Sequence, residues 1–123
     1  MYHEIVMDHY KHPRHHGTLE DADIHVKDHN PMCGDVIEWY GTVADNTFAT
    51  LRFNGEGCAI SQATASLVAD HYHDDDFDTI MDVDKDDILD LLGTRLTVSR
   101  VKCAMLGIKT LQQGIKEWNN ADN

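Results

Sequence analysis

Apolar residues along this chain recur first at helical spacing, then in alternation, then at helical spacing again. Tyr2, Ile5, Val6 and His9 follow steps of three and four and stop at His12-Pro13, which predicts an N-terminal helix of about three turns. Ile24, Val26 and Asp28 then alternate. Ile37, Trp39 and Val43 share one side of a second strand, and Ala49, Leu51 and Phe53 one side of a third. Asp45-Asn46 supplies the hairpin turn between the last two. Beyond Gly57 the period lengthens: Ile60, Ala63, Leu67, Val68 and His71 lie on one helical face, with alanines and serines that allow close packing. Ile80, Ile88, Leu91 and Leu92 suggest short helices over Phe77–Met81 and Lys85–Leu92, the second ending at Gly93. Val101, Met105, Ile108, Leu111, Ile115 and Trp118 predict a long final helix, with Ser99 as its cap and a polar, frayed tail. Strands followed by helices imply an α+β fold: a small antiparallel sheet of about three strands with helices packed on one face. The 123 residues fit a single domain, 1–123, without internal repeats or linkers.

Charge narrows the choice of partners. The formal charge of −12 disfavours nucleic acid and anionic membrane surfaces, whose affinity comes from Lys and Arg clusters. Acid is concentrated between Asp70 and Asp90, where ten aspartates accompany only Lys85. The bland reading is a solvated face that keeps the protein soluble; the sharper one is steering toward a basic partner. No window approaches the roughly 20 apolar residues that cross a bilayer, and the first residues lack a basic stretch or apolar run. The expected location is therefore cytoplasmic. Three cysteines cannot all pair within one chain, and a reducing cytosol leaves them as free thiols, metal ligands or nucleophiles.

Those cysteines hold the candidate chemistry. Cys33 lies in Asn30-Pro31-Met32-Cys33-Gly34-Asp35, Cys58 follows Gly55-Glu56-Gly57, and Cys103 follows Arg100-Val101-Lys102. Each sits where a backbone turn would expose a thiolate. In extended backbone, positions i and i+2 share a side, so Cys33 and Asp35 could offer two ligands from one loop. Cys58 is expected at the N-terminus of the second long helix and Cys103 in the first turn of the last one, where partial positive charge favours the thiolate. Arg100 and Lys102 add positive charge beside Cys103. Three thiolates and a carboxylate suit tetrahedral Zn²⁺, and equally iron or a nascent iron–sulfur cluster. Separations of 25 and 45 positions match no short zinc-finger pattern, and Cys58 and Cys103 could instead be small buried hydrophobes. His15-His16 and His71-x-His73 read as solvent-facing rather than ligating. Asp74-Asp75-Asp76 lacks the glycine turn and terminal Glu of a calcium loop. No phosphate-cradling loop, nucleotide fingerprint or serine elbow is present.

Taken together, Met7-Asp8-His9-Tyr10-Lys11 with Pro13-Arg14 and Gly17, Asn30-Pro31-x-Cys33-Gly34-Asp35, Gly55-x-Gly57-Cys58-x-Ile60-Ser61-x-Ala63 and Arg100-x-Lys102-Cys103-Ala104 closely resemble the IscU/SufU family, the domain also found at the N-terminus of NifU. The resemblance spans nearly the whole chain. It implies an iron–sulfur cluster assembly protein that accepts sulfur from a cysteine desulfurase, with Cys33, Asp35, Cys58 and Cys103 as ligands of zinc, or of iron or a transient [2Fe-2S] cluster. It further implies downstream cluster-assembly or apo-iron–sulfur proteins as recipients. Cys33 is the first choice of sulfur acceptor and Cys103 the alternative, with Arg100 and Lys102 stabilising ionised sulfur. IscU-like scaffolds place a histidine before the last cysteine; here Lys102 stands there, with Arg100 two residues earlier, as in SufU-like proteins. The segment between the second and third cysteines is nonetheless short, as in IscU, and Leu96-Thr97-Val98-Ser99 replaces the chaperone-binding Leu-Pro-Pro-Val-Lys. Local residues outweigh a loop length that a chain changes at little cost, so the SufU-like branch is preferred. A sulfur carrier, a cluster scaffold and a purely structural zinc domain are the three functions carried forward.

Overall fold

Residues 4–31, 34–93 and 95–121 are described by a computed structural model. Strands β1 (Ile24–Asn30), β2 (Asp35–Ala44) and β3 (Thr47–Glu56) form an antiparallel meander in that order. Ala44 pairs with Thr47, leaving Asp45 and Asn46 as a two-residue loop at φ 52° and 62°. Two successive positive φ values give the hairpin a turn whose twist matches the strands it joins. Farther along, Thr42 pairs with Thr50 but Val43 with Phe48, so Ala49 is the extra residue of a β-bulge. The bulge shifts the alternation expected for β3. Ala49 is exposed, and Phe48 is buried with its ring over Gly41, where a side chain would meet it.

Helices cover the inner face of this sheet. They are α1 (Glu4–Lys11), α2 (Ala59–Tyr72), α3 (Phe77–Met81), α4 (Lys85–Leu92) and α5 (Val98–Ala121). Ile37, Trp39, Leu51 and Phe53 are buried beneath α2 and α5. The Trp39 indole donates to the Gly107 carbonyl of α5 at 2.9 Å, so burying this large ring leaves no unmet N–H. A Cβ on Gly107 would stand 3.3 Å from Ala65 Cα, and one on Gly114 would fall 2.7 Å from Val26 Cγ1. Small residues thus let α5 approach both α2 and β1. Helix α5 begins earlier than the apolar spacing predicts: the Val101 amide bonds the Thr97 carbonyl at 3.0 Å, which places Ser99 inside the first turn rather than at the cap. Among the described residues, no helix is long and apolar enough to cross a membrane.

Part of the acidic run is explained locally. Asp76 caps α3 by accepting from the Thr79 amide at 2.8 Å, and that bond holds its carboxyl below the usual range. Asp84 and Asp87 form a reciprocal capping box at the start of α4, and Gly93, at φ 66°, ends that helix. These aspartates satisfy helix-end amides that would otherwise need water. The open edges of the sheet are managed as well. Phe53 donates to the His15 carbonyl and accepts from Gly17 N–H, both at 2.9 Å, so the N-terminal loop covers β3; β1 exposes His25, Lys27, Asp28 and His29.

Helix α1 docks through a polar contact. His9 is buried, and its Nδ1 lies 2.8 Å from Ser66 Oγ on α2, which also accepts from the Arg14 amide at 2.8 Å. With that amide on the Ser66 oxygen, the hydroxyl proton is free to go to Nδ1 of a neutral imidazole. Burial first, and then the Arg14 charge, push the His9 pKa down; burial, His73 and Arg52 do the same for His15. A histidine whose folded pKa lies below its unfolded value stabilises fully above the unfolded value, about 6.5, and loses that contribution as pH falls toward the folded one. The urea midpoint is therefore expected to drop between pH 7.5 and 5.5. His9→Gln should flatten that slope; an unchanged slope would show that His9 takes up its proton equally in both states.

Candidate metal centre

Three donors from different elements meet at one end of the sheet. Asp35 is the first residue of β2, Cys58 the N-cap of α2, and Cys103 the sixth residue of α5. One ligand atom from each lies within 4.8 Å of the others. Asp35 is fully buried, Cys103 is 1% exposed and Cys58 is half-buried. Cys33 lies outside the described residues; along the chain it falls between Pro31 and Gly34, whose amide bonds the Asn30 carbonyl at 2.8 Å.

The Asp35 carboxylate organises the pocket. Its Oδ1 accepts the Cys58 backbone N–H at 2.8 Å, while Oδ2 stands 3.6 Å from Cys58 Sγ. Two ligands on a tetrahedral zinc, with bonds of about 2.3 Å to sulfur and 2.0 Å to oxygen, lie about 3.5 Å apart. The Asp35–Cys58 pair therefore already has the separation that such an ion requires. The amide hydrogen bond to a charged acceptor contributes about 1.5–3 kcal/mol and the long contact from the Cys58 thiol adds less, against the several kcal/mol of desolvating a carboxylate. A cation bound by Oδ2 and the sulfurs would offset the remainder, so the donor set fits Zn²⁺ or Fe.

Cys58 occupies the position expected for it. Its sulfur receives the Ser61 amide at 3.5 Å, and the Ser61 hydroxyl donates to the Cys58 carbonyl at 3.1 Å. Cys103 does not. Because α5 starts at Val98, this residue falls in the second turn, facing inward, and its sulfur contacts the Ser99 carbonyl at 3.7 Å instead of free helix-end amides. The sulfur expected to be exposed at this position is buried. Arg100 and Lys102 are on the exposed side of the same turns. Asn30 is a participant that sequence spacing did not single out: its buried side-chain amide points Nδ2 at Cys103 Sγ, 3.9 Å away. Nothing local marks that role, since the two residues come from β1 and α5.

Gly57 permits the closure. Its φ of 136° is a conformation that side chains rarely adopt, and a Cβ there would overlap Asp35 Oδ1 and lie 2.8 Å from Asp35 Cα. It also borders a surface groove of about 300 Å³ together with Tyr10, His16, Phe53 and Gln62.

The NifU-like N-terminal domain profile matches residues 1–123. The zinc-dependent sulfurtransferase SufU of Bacillus subtilis is 34% identical over 132 aligned positions, which cover 94% of this chain and 89% of the relative. That aligned stretch exceeds the 123 residues of this chain, so the relative carries inserted residues within it. The iron–sulfur cluster assembly scaffold protein IscU 1 of Archaeoglobus fulgidus is 30% identical, covering 96% of this chain and 76% of its own. A solved structure described as a putative iron–sulfur cluster assembly scaffold protein for the SUF system of Fervidobacterium islandicum superposes with a TM-score of 0.79 at 25% identity, covering 93% of this chain and 96% of that one.

Replacing Gly57 tests the packing directly. Gly57→Ala should destabilise by roughly 1–3 kcal/mol, from overpacking against Asp35 added to backbone strain. Gly34→Ala, also at positive φ but with open space around it, should cost only about 1 kcal/mol. Urea unfolding of both variants checks this, and equal costs would refute the role assigned to the Gly57–Asp35 contact.

Proposed function

This chain belongs to the NifU-like N-terminal domain family, and on that premise we propose that it is an iron–sulfur cluster assembly protein that accepts sulfur from a cysteine desulfurase and passes it on for cluster biogenesis. The supporting observation is the convergence of Asp35, Cys58 and Cys103 within 4.8 Å; Cys33, two positions before Asp35 along the chain, is the fourth donor in this reading. Similarity to SufU favours the sulfur-carrier form of this role. Zinc held by Cys33, Asp35, Cys58 and Cys103 would keep the sulfurs ionised at neutral pH.

The chain's own chemistry is thiol exchange. The acceptor thiolate attacks the outer sulfur of the desulfurase persulfide; one S–S bond forms, the original S–S bond breaks, and the desulfurase cysteine leaves as a thiolate, with no oxidant or reductant consumed. Cys33 is the acceptor. Burial of Cys103, whose sulfur already contacts Asn30 and the Ser99 carbonyl, disfavours the alternative. Asp35, an oxygen donor among sulfurs, would be the labile ligand of a bound ion. Arg100 and Lys102, exposed beside Cys103, stabilise the ionised acceptor sulfur through solvent. The protein is thus a carrier that works in the reducing cytosol.

A second reading, a scaffold on which iron and sulfide are built into a [2Fe-2S] cluster as cargo, uses the same donors. It is favoured by the similarity to IscU and to the scaffold-like structure from Fervidobacterium. The two separate on anaerobic reconstitution, where a scaffold develops visible charge-transfer absorption and a zinc-holding carrier stays colourless. For the leading reading, incubation with a cysteine desulfurase and cysteine should add sulfur to the wild type and to Cys103→Ser but not to Cys33→Ser, as read by intact-protein mass spectrometry. Absence of added sulfur in every case would defeat sulfur transfer.

A further inference from the structure

The histidines set aside as solvent-facing include a pair that the fold brings together away from the cysteine cluster. Loop residue His15 and His73, the C-cap of α2, place their imidazole rings 4.6 Å apart at a tilt of 41°. Asp70, one turn before His73 on the same helix, points Oδ1 at His15 Nε2 from 3.9 Å. We propose that His15, Asp70 and His73 form a second metal site, for a divalent d-block ion of borderline softness such as Zn²⁺ or Ni²⁺.

Four features support it. Two imidazoles and a carboxylate are donors that such ions take, whereas Ca²⁺ and Mg²⁺ call for oxygen alone. Bonds of about 2.1 Å set ligand atoms roughly 3–4 Å apart, so the His15–Asp70 separation already brackets an ion. Asp70-x-x-His73 repeats the i, i+3 carboxylate–histidine spacing by which a helix presents two ligands from one face. The site also lies at the C-terminal, negative end of a 14-residue helix, which favours a cation.

The loop supplies the third donor by constraint rather than chance. His15 has a φ of 60°, unusual for a residue with a side chain, and its carbonyl is tied to the Phe53 amide of β3 at 2.9 Å. Its side chain is only 21% exposed. Completing the site requires the His73 ring to leave Asp74, its present partner at 3.1 Å, and turn inward, since as they stand His15, Asp70 and His73 do not all bring ligand atoms within 4.8 Å of one another; His73 and Asp74 are at the surface, Asp74 being 86% exposed. Arg52 is the cation facing His15, and its guanidinium is engaged with the Leu51 carbonyl at 2.8 Å. Against it stand Asp70 and Asp74.

The test uses the full chain with its cysteine site first filled by one equivalent of Zn²⁺, then titrated with Ni²⁺ by calorimetry and followed by imidazole NMR. We expect one further equivalent, with the His15 and His73 ring signals broadened and the zinc retained. His15→Asn, which tolerates the left-handed backbone, His73→Gln and Asp70→Asn should each weaken Ni²⁺ about tenfold or more, while exposed His71→Gln leaves it unchanged. His73→Gln, at an exposed helix end, carries the test if His15→Asn fails to fold. No second equivalent, or a second equivalent that His73→Gln does not weaken, would overturn the site.

Discussion

The hydrogen bond from the Cys58 amide to the buried Asp35 carboxylate ties the sheet to the helical layer at the place where the chemistry is concentrated. It fixes three things at once: the start of β2, the start of α2, and the orientation of a carboxylate that leaves one oxygen toward the sulfurs. The contact is short enough that only a glycine at position 57 lets the chain pass. A buried charge held by few donors among the described residues is poorly offset until a cation joins it. The same feature that suits the site to a cation would therefore make it a weak point of the fold without one.

The third donor depends on packing elsewhere. Cys103 reaches Asp35 and Cys58 because α5 lies close against α2 and β1, and that approach rests on absent side chains at Gly107 and Gly114 and on Ala65 opposite. The Trp39 indole bonded to the Gly107 carbonyl sets the height of α5 over the sheet. Close packing transmits such constraints, since interiors hold few voids that could absorb a shift. The donors are thus placed by two independent parts of the core. The hairpin around Asp35 sets one side, and small-residue helix packing sets the other.

Much of this was legible in the order of residues. The three strands, the Asp45-Asn46 turn, α3 and α4 follow from alternation, turn chemistry and capping, all of which act within a few positions. Two local expectations failed for a shared reason. The bulge at Ala49 and the early start of α5 are decided by what the segment packs against, so Phe48 is buried over Gly41 and Cys103 is carried inward. The role of Asn30 toward Cys103, and the meeting of His15 with Asp70 and His73, join segments that no spacing rule relates.

Sequence alone determined which kinds of atom this protein can offer, because thiol and carboxylate chemistry belongs to the residue, and which segments are helix or strand, because periodicity and capping are local. Tertiary structure decided which of those atoms share one space, how deeply each is withdrawn from water, and which histidines stand together. Distances between chain-remote side chains are set by the packing of whole elements, and a one-dimensional pattern does not contain them.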